Sequence, residues 1–278
     1  MKTGADERRE ALAGPQCSFS GTAVCCKAQE NRGKLALKIR LILAAALTLA
    51  ACATAAPVTQ QAPQPTHPTT AERNPAVQVD ALVFLPPAPA ANGALERAER
   101  DIVRGPWSAE RRQQAVEDNA IDPFAAFDSV LGPNFTAANF PATAALLDRA
   151  GRAAGFAGDP VKFRDRRPRP FVSDDTIAPC IEDTPRLRES FSYPSGHGAL
   201  GFGWALVLAE IAPAHADAII ERGRDFGWSR VVCGVHYPSD IDAGRIVAAG
   251  AIARLHADPD FQRELEAARA EMAAAYPR

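Results

Sequence analysis

From His197 to Pro213 the sequence reads HGALGFGWALVLAEIAP, with Glu210 as its one acidic residue. A helix of that composition has almost no polar face for water, so other elements must wrap it on nearly every side. That demand sets the fold class, and the rest of the chain supplies the wrapping. NGALERAERDIVRG carries apolar residues at helical spacing and ends in glycine. SAERRQQAVEDNA opens on Ser108 with Glu110 close behind, an N-cap followed by an acidic first turn. PATAALLDRAGRAAGFAG, PAHADAIIERGRDFGWSRVVCG and SDIDAGRIVAAGAIARLHA read as further helices, the last starting at Ser239 with Asp240 and Asp242 in its first turn. DPDFQRELEAARAEMAAAY closes the chain as an amphipathic peripheral helix. No alternating pattern is long enough to build a sheet. The expected fold is all-α, a single-domain bundle of seven to nine helices.

The first part of the chain reads differently. Residues 1–36 are polar and irregular, and no methionine lies between Met1 and Met272, which points to a start placed upstream of the true one. Lys34, Lys38 and Arg40 then precede the 11-residue apolar run Leu41 to Ala51, short for a bilayer span but right for the core of a signal peptide. Segment 37–55 is therefore expected to direct export. Its LAAC, Leu49 to Cys52, resembles a bacterial lipobox, which makes Cys52 a candidate lipidation site against simple cleavage near Ala53 to Ala56. Residues 56–79, rich in Pro, Thr and Gln, read as a tether, and the folded domain as 80–278. After residue 56 no stretch is both long and uncharged enough to cross a membrane. Export leaves Cys180 and Cys233 as two cysteines able to form a disulfide. A net charge of −2 gives no broad basic surface for nucleic acid.

Three segments carry the chemistry. KFRDRRPRP packs Lys162, Arg164, Arg166, Arg167 and Arg169 into eight residues, and Pro168 and Pro170 stiffen the chain around Arg169. Such a run is most often a solvated loop, but stiff cations lose little entropy when they hold an anion. SYPSGHG, Ser192 to Gly198, places Ser195 and Gly196 where the apolar helix begins. A helix start offers unpaired N–H groups to a phosphate, and glycine lets the backbone come close. Ser195 alone reads equally as a nucleophile or a plain N-cap. In SRVVCGVHYPSD, Arg230, His236 and Asp240 stand at intervals of six and four. A carboxylate on one imidazole nitrogen fixes the tautomer and frees the other nitrogen to attack, although His and Asp four apart are in most proteins just a surface pair. Together the segments hold three cations for a dianion (Lys162, Arg169, Arg230), hydrogen-bond donors (Ser195, Gly196), a nucleophile (His236 with Asp240) and a proton donor (His197). This is an inventory for phosphoryl transfer through a phosphohistidine, with no metal or other cofactor required. It asks for opposite starting states, His236 neutral and His197 charged, and hence for a bell-shaped pH profile centred below neutrality.

The series Lys162-x6-Arg169-Pro170, Pro194-Ser195-Gly196-His197, Ser229-Arg230-x5-His236-x3-Asp240 resembles the three-part signature of the type 2 phosphatidic acid phosphatase superfamily, which also contains the vanadium haloperoxidases. LPPAPA, SYPSGH, ALVLAEI and SRVVCGVHYPSDIDAGR are similar to the bacterial class A non-specific acid phosphatases over residues 80–277. The resemblance implies an all-helical fold, a periplasmic or secreted location and hydrolysis of phosphomonoesters, with small-molecule esters as the partners. Cys180 and Cys233 also look like cysteines common in that group. Membrane contact would come only through a lipid anchor, and a homo-oligomer stays open. The rival readings are a haloperoxidase holding vanadate through His236, a lipid phosphate phosphatase, and a non-catalytic anion-binding lipoprotein.

Overall fold

The structure, a computed structural model, describes residues 79–276. Among them are twelve α-helices, one 3-10 turn and no strand. In chain order the helices are α1 (Ala81–Phe84), α2 (Ala94–Arg104), α3 (Ala109–Glu117), α4 (Pro123–Leu131), α5 (Pro141–Ala157), α6 (Asp159–Asp165), α7 (Pro170–Ser173), α8 (Pro185–Glu189), α9 (Gly196–Ile211), α10 (Ala216–Val232), α11 (Pro238–Leu255) and α12 (Pro259–Ala275). The all-α expectation holds. The seven long helices fall where the sequence places them, while the short α1, α4, α6, α7 and α8 take the number above the seven to nine expected. These segments of four to nine residues are too brief to show a period, and they form on local signals. Asp122 caps α4 through the Phe124 and Ala125 amides, Thr184 caps α8 through the Leu187 amide, and proline opens α4, α6, α7 and α8. The start of α11 also differs, because Tyr237 is its N-cap and Ser239 lies inside the first turn. The expected signal peptide, lipidation site and all of the tether except Val79 lie outside the described residues.

The apolar run becomes α9 and sits at the centre, packed against α5, α10 and α11. Gly198, Ala199, Leu200 and Gly201 are buried in succession, so a full turn is covered on every side. Phe127, Leu146, Leu147, Phe226 and Phe261 join its own Leu208 in one cluster, each contributing roughly 1.5–3 kcal/mol on burial. The Trp204 indole N–H donates to the Leu147 carbonyl at 3.0 Å, which removes the cost of burying it. The last helix, α12, is amphipathic as expected, and Phe261, Leu265, Ala268 and Met272 are sunk into this cluster.

One close crossing sets the position of the site. A Cβ on Gly244 of α11 would stand 2.6 Å from the Ser195 carbonyl oxygen and 3.0 Å from the Ala199 amide nitrogen. Backbone, not a movable side chain, is in the way. Gly244→Ala is therefore expected to push the start of α9 off α11, lowering the melting temperature and turnover together. Equal Tm and kcat in the variant and the parent would show that the crossing has slack.

Candidate active site

Backbone bonds gather the three sequence segments. At the end of α6, Arg166 takes a left-handed conformation (φ 47°), which turns the chain so that Arg167 and Arg169 enter the interior on either side of Pro168. The Ser192 amide donates to the Arg167 carbonyl at 2.8 Å, tying the second segment to the first. The Ser195 amide donates to the Asp240 carbonyl at 2.9 Å, tying it to the third. After α10 the chain reverses at Gly234 (φ 77°), and the amides of Val235 and His236 both donate to the Arg230 carbonyl. The turn delivers His236 beside Arg230 rather than along a helix. Cys180 and Cys233 are joined, with an S–S distance of 2.01 Å, and this pins the loop after α7 to the same turn. Of the five clustered cations, Arg164 and Arg166 stay exposed, with Arg164 paired to Asp165.

His236 is 3 % exposed and its ring is held at both nitrogens. Nδ1 lies 3.3 Å from Asp240 Oδ2, while Arg169 Nη1 stands 3.0 Å from Nε2. A guanidinium only donates, so Nε2 carries the lone pair and Nδ1 the proton. Asp240 accepts four bonds: at Oδ2 from His236 Nδ1, the Ser192 hydroxyl and the Tyr237 amide (2.8 Å), and at Oδ1 from Arg167 Nη1 (2.7 Å). Burial alone would raise the Asp240 pKa, but the bonds from His236 and Arg167 outweigh it and hold the carboxyl at about 2. Burial, then the nearby Arg169 charge, pushes His236 well below its ordinary value against the pull of Asp240. The imidazole is neutral, in one tautomer, with its Nε2 lone pair turned toward Arg169.

Arg169 meets that lone pair directly, and Lys162 and Arg230 lie close enough to Arg169 to feel its charge. Burial brings Lys162 down to about 8 and Arg230 to about 9, each with Arg169 as the next cause, and burial takes Arg169 to about 10. Arg169 depresses both of the others, so the three lie near one another. They hold their charge below pH 8, and a phosphate dianion among them relieves both the desolvation and the repulsion. Lys162 Nζ donates to the carbonyls of Phe191 and Pro194, Arg169 to Ser190 and the Val235 carbonyl, and Arg230 Nη1 to Asn119 Oδ1. The buried Nε of Arg230 has no hydrogen-bond partner among the described residues, a donor left for an incoming oxygen. Ser195 Oγ accepts from the Gly198 amide at 3.0 Å as the N-cap of α9, so its own proton remains available to a ligand.

His197 departs from expectation. Its Nε2 lies 2.9 Å from the Asp118 carbonyl and must donate, and its ring stacks on Phe226 at 5.2 Å with an 8° tilt. Among the described residues no carboxylate hydrogen-bonds to the ring. Burial, then the charge of Arg230, lowers its pKa to about 3, with the carbonyl bond opposing. Burial first, and the Arg230 charge second, thus favour the neutral ring in the free protein, where the sequence reading asks for a charged one.

Sequence reasoning missed the groups behind the site. Arg167 stands out only as one of five cations, and Ser192 only as a neighbour of the Pro194-to-His197 turn. Glu96 and Glu99 of α2, Asp118 and Asn119 left no signal. Asp118 accepts from Arg222 and Ser229, which fixes the carbonyl that holds His197.

The PAP2 superfamily model matches residues 150–263, a span that contains every side chain of the catalytic cluster. The chain is 38% identical over 202 residues to a non-specific acid phosphatase of Providencia stuartii, covering 70% of this chain and 82% of that protein. It is 36% identical over 199 residues to an acid phosphatase of Zymomonas mobilis (69% and 75% covered), and 36% identical over 206 residues to a non-specific acid phosphatase of Salmonella typhimurium (72% and 82% covered). With a helical core, two histidines, the buried Arg169 and Arg230 and the half-buried Lys162 gathered within the matched span, the chain belongs to the PAP2 superfamily and, within it, to the non-specific acid phosphatases.

Proposed function

We propose that this phosphatase is exported and hydrolyses phosphomonoesters of many alcohols through a phosphohistidine on His236, without a metal ion. The observation that carries the reading is the aim of His236, its Nδ1 proton on Asp240 and its Nε2 lone pair on Arg169, whose charge Lys162 and Arg230 also feel. Lys162, Arg169, Arg230, Ser195 and the Gly196 amide hold the phosphate oxygens. His236 Nε2 bonds to phosphorus as the ester P–O bond breaks, and the leaving oxygen takes a proton from His197 Nδ1. Asp240 balances the imidazolium that results. Water then gives a proton to His197 Nδ1 and attacks phosphorus, the P–N bond breaks, and phosphate leaves. Positioning and charge neutralisation supply most of the rate.

The neutral His197 makes the substrate the source of the first proton. A phosphomonoester loses its second proton near pH ~6, so below that it arrives as a monoanion and can charge His197 on entering. Acid preference then belongs to the ester as much as to the enzyme. With His236 depressed by burial and Arg169, and Lys162 neutralised only above about 8, kcat/KM is expected to stay high into the acid range and to fall as the ester loses its proton. KM alone should rise further above pH 8. A substrate panel across pH tests this, with aryl and alkyl phosphates of different second pKa. His197→Ala should cost alkyl esters far more than aryl esters, whose leaving groups need no proton, and equal losses would remove the acid role. Turnover should survive EDTA; loss on chelation, restored by a divalent ion, would overturn the metal-free step. No group of three His, Cys, Asp or Glu among the described residues is arranged to hold a metal.

Export rests on the sequence from Lys34 to Ala56, and lipidation at Cys52 would keep the enzyme at a membrane surface. No helix among the described residues is long and apolar enough to cross one. A halide-oxidation assay with vanadate and peroxide separates the haloperoxidase reading from p-nitrophenyl phosphate hydrolysis.

A further inference from the structure

Arg167 belongs to the basic run, yet it does not face the phosphate position. Its side chain is 2% exposed and enters behind Asp240. Nη1 donates to Asp240 Oδ1 at 2.7 Å and to the Ser239 hydroxyl at 2.8 Å, and Nη2 donates to Glu99 Oε2 at 2.9 Å. Its Nε lies 3.6 Å from Glu96 Oε2, and the guanidinium carbon sits 3.8 Å above the Tyr237 ring. Glu99 reaches the same turn by a second route, through its Oε1 bond from the Ser239 amide at 2.7 Å and its Oε2 bond from the Ser239 hydroxyl at 3.0 Å. Helix α2 and the loop between α6 and α7, distant in sequence, thus clamp the first turn of α11, where Asp240 stands, through one planar cation.

The geometry sets two jobs for this clamp. Arg167 fixes one oxygen of Asp240, which leaves the carboxylate a single rotamer, and that rotamer places Oδ2 on His236 Nδ1. It also offsets part of the Asp240 charge, so the imidazole is oriented by a strong acceptor without being pulled into its protonated, non-nucleophilic form. A surface ion pair would do neither, since it has no second anchor and is screened. Groups two steps from the reacting atom commonly set ligand orientation and basicity in this way.

We propose that Arg167, anchored by Glu99, is a positioning residue for the attacking histidine, acting through Asp240. The proposal rests on His236 as the nucleophile. The groups that set the His236 charge are Asp240, Arg169 and Lys162, with the Ser192 hydroxyl 3.3 Å from Nδ1. Removal of Arg167 leaves the Asp240 charge uncompensated, so the imidazolium gains stability. The sign is therefore a His236 pKa that rises, and an acid limb of kcat/KM that moves to higher pH.

The test uses the purified enzyme with Arg167→Lys, and with Arg167→Met made together with Glu99→Gln so that no carboxylate is stranded beside the lost cation. Kinetics on p-nitrophenyl phosphate, the pH profile, Tm and the histidine 15N resonances are measured for each. The double variant is expected to lose kcat by about 10- to 100-fold, to keep KM near that of the parent because Lys162, Arg169 and Arg230 are untouched, and to mix the two His236 tautomers. Arg167→Lys should lie between, because an ammonium holds the charge but not the two-sided fork. Folded variants with parental kcat, acid limb and tautomer would overturn the proposal and leave Arg167 as a structural ion pair. If the double variant does not fold, a parental pH profile and tautomer in Arg167→Lys, with Glu99 intact, overturns the fork geometry by itself. Failure of the nucleophile reading is seen separately, as activity retained in His236→Ala.

Discussion

His236→Ala is expected to lower kcat by roughly four orders of magnitude or more while the protein stays folded. The size follows from what disappears. The other groups of the cluster are already engaged: in the proposed reaction the Nδ1 lone pair of His197 handles protons while its Nε2 proton goes to the Asp118 carbonyl, Ser195 Oγ accepts from the Gly198 amide, and Asp240 accepts four bonds. Water in the emptied space would be the only nucleophile, acting on an ester that the cations still hold. Phosphate should accordingly inhibit the variant about as well as the parent, since Lys162, Arg169 and Arg230 remain. Folding should survive because the main-chain amides of Val235 and His236 keep their bonds to the Arg230 carbonyl, and Asp240 keeps the Tyr237, Ser192 and Arg167 donors. Rapid-quench experiments with 32P-labelled substrate should trap an acid-labile phosphoenzyme in the parent and none in the variant. A variant that turns over at a tenth of the parental rate, or that still carries label, would move the attacking atom elsewhere.

What could be read from the sequence divides along a physical line. The central helix was legible because seventeen residues without a polar face permit one kind of environment. The candidate site residues stand out in the sequence because phosphoryl chemistry would restrict residue type at each of them, and glycine and proline mark the turns that carry them. The clamp behind Asp240 was not. ALERAERDIVR reads as an ordinary amphipathic helix with Glu96 and Glu99 toward water, and only its packing against α11 makes them 2% and 3% exposed. A charge on the solvent side of a period and a charge sunk against a buried arginine look alike in one dimension. The charge state of His197 was illegible for the same reason. It depends on how many cations converge from distant segments, and each segment taken alone suggests an ordinary histidine near ~6.5.

Asp240→Asn should be the second most damaging change, with kcat down by roughly 10^3- to 10^4-fold. The amide can take one orientation only. Three donors meet Oδ2 and one meets Oδ1, so the amide oxygen must occupy the Oδ2 place and the NH2 must face Arg167 Nη1. His236 would keep its tautomer, and the loss would come from the charge: nothing would then balance the imidazolium that forms as Nε2 bonds to phosphorus. Two consequences distinguish this from simple misfolding. With Asp240 held at about 2, its carboxylate is present throughout the working range, and removing it lowers the His236 pKa further. The acid limb of kcat/KM should therefore move to lower pH, opposite in sign to the Arg167 variants. Stability should also fall, since a guanidinium 2% exposed would face an amide N–H, toward the roughly 3–5 kcal/mol of a broken buried pair but short of it while Glu99 and Ser239 still accept from Arg167. A shift of the acid limb upward in Asp240→Asn, or a loss of less than about tenfold, would mean that Asp240 orients the imidazole without stabilising its charge, and that the electrostatic half of the argument is wrong.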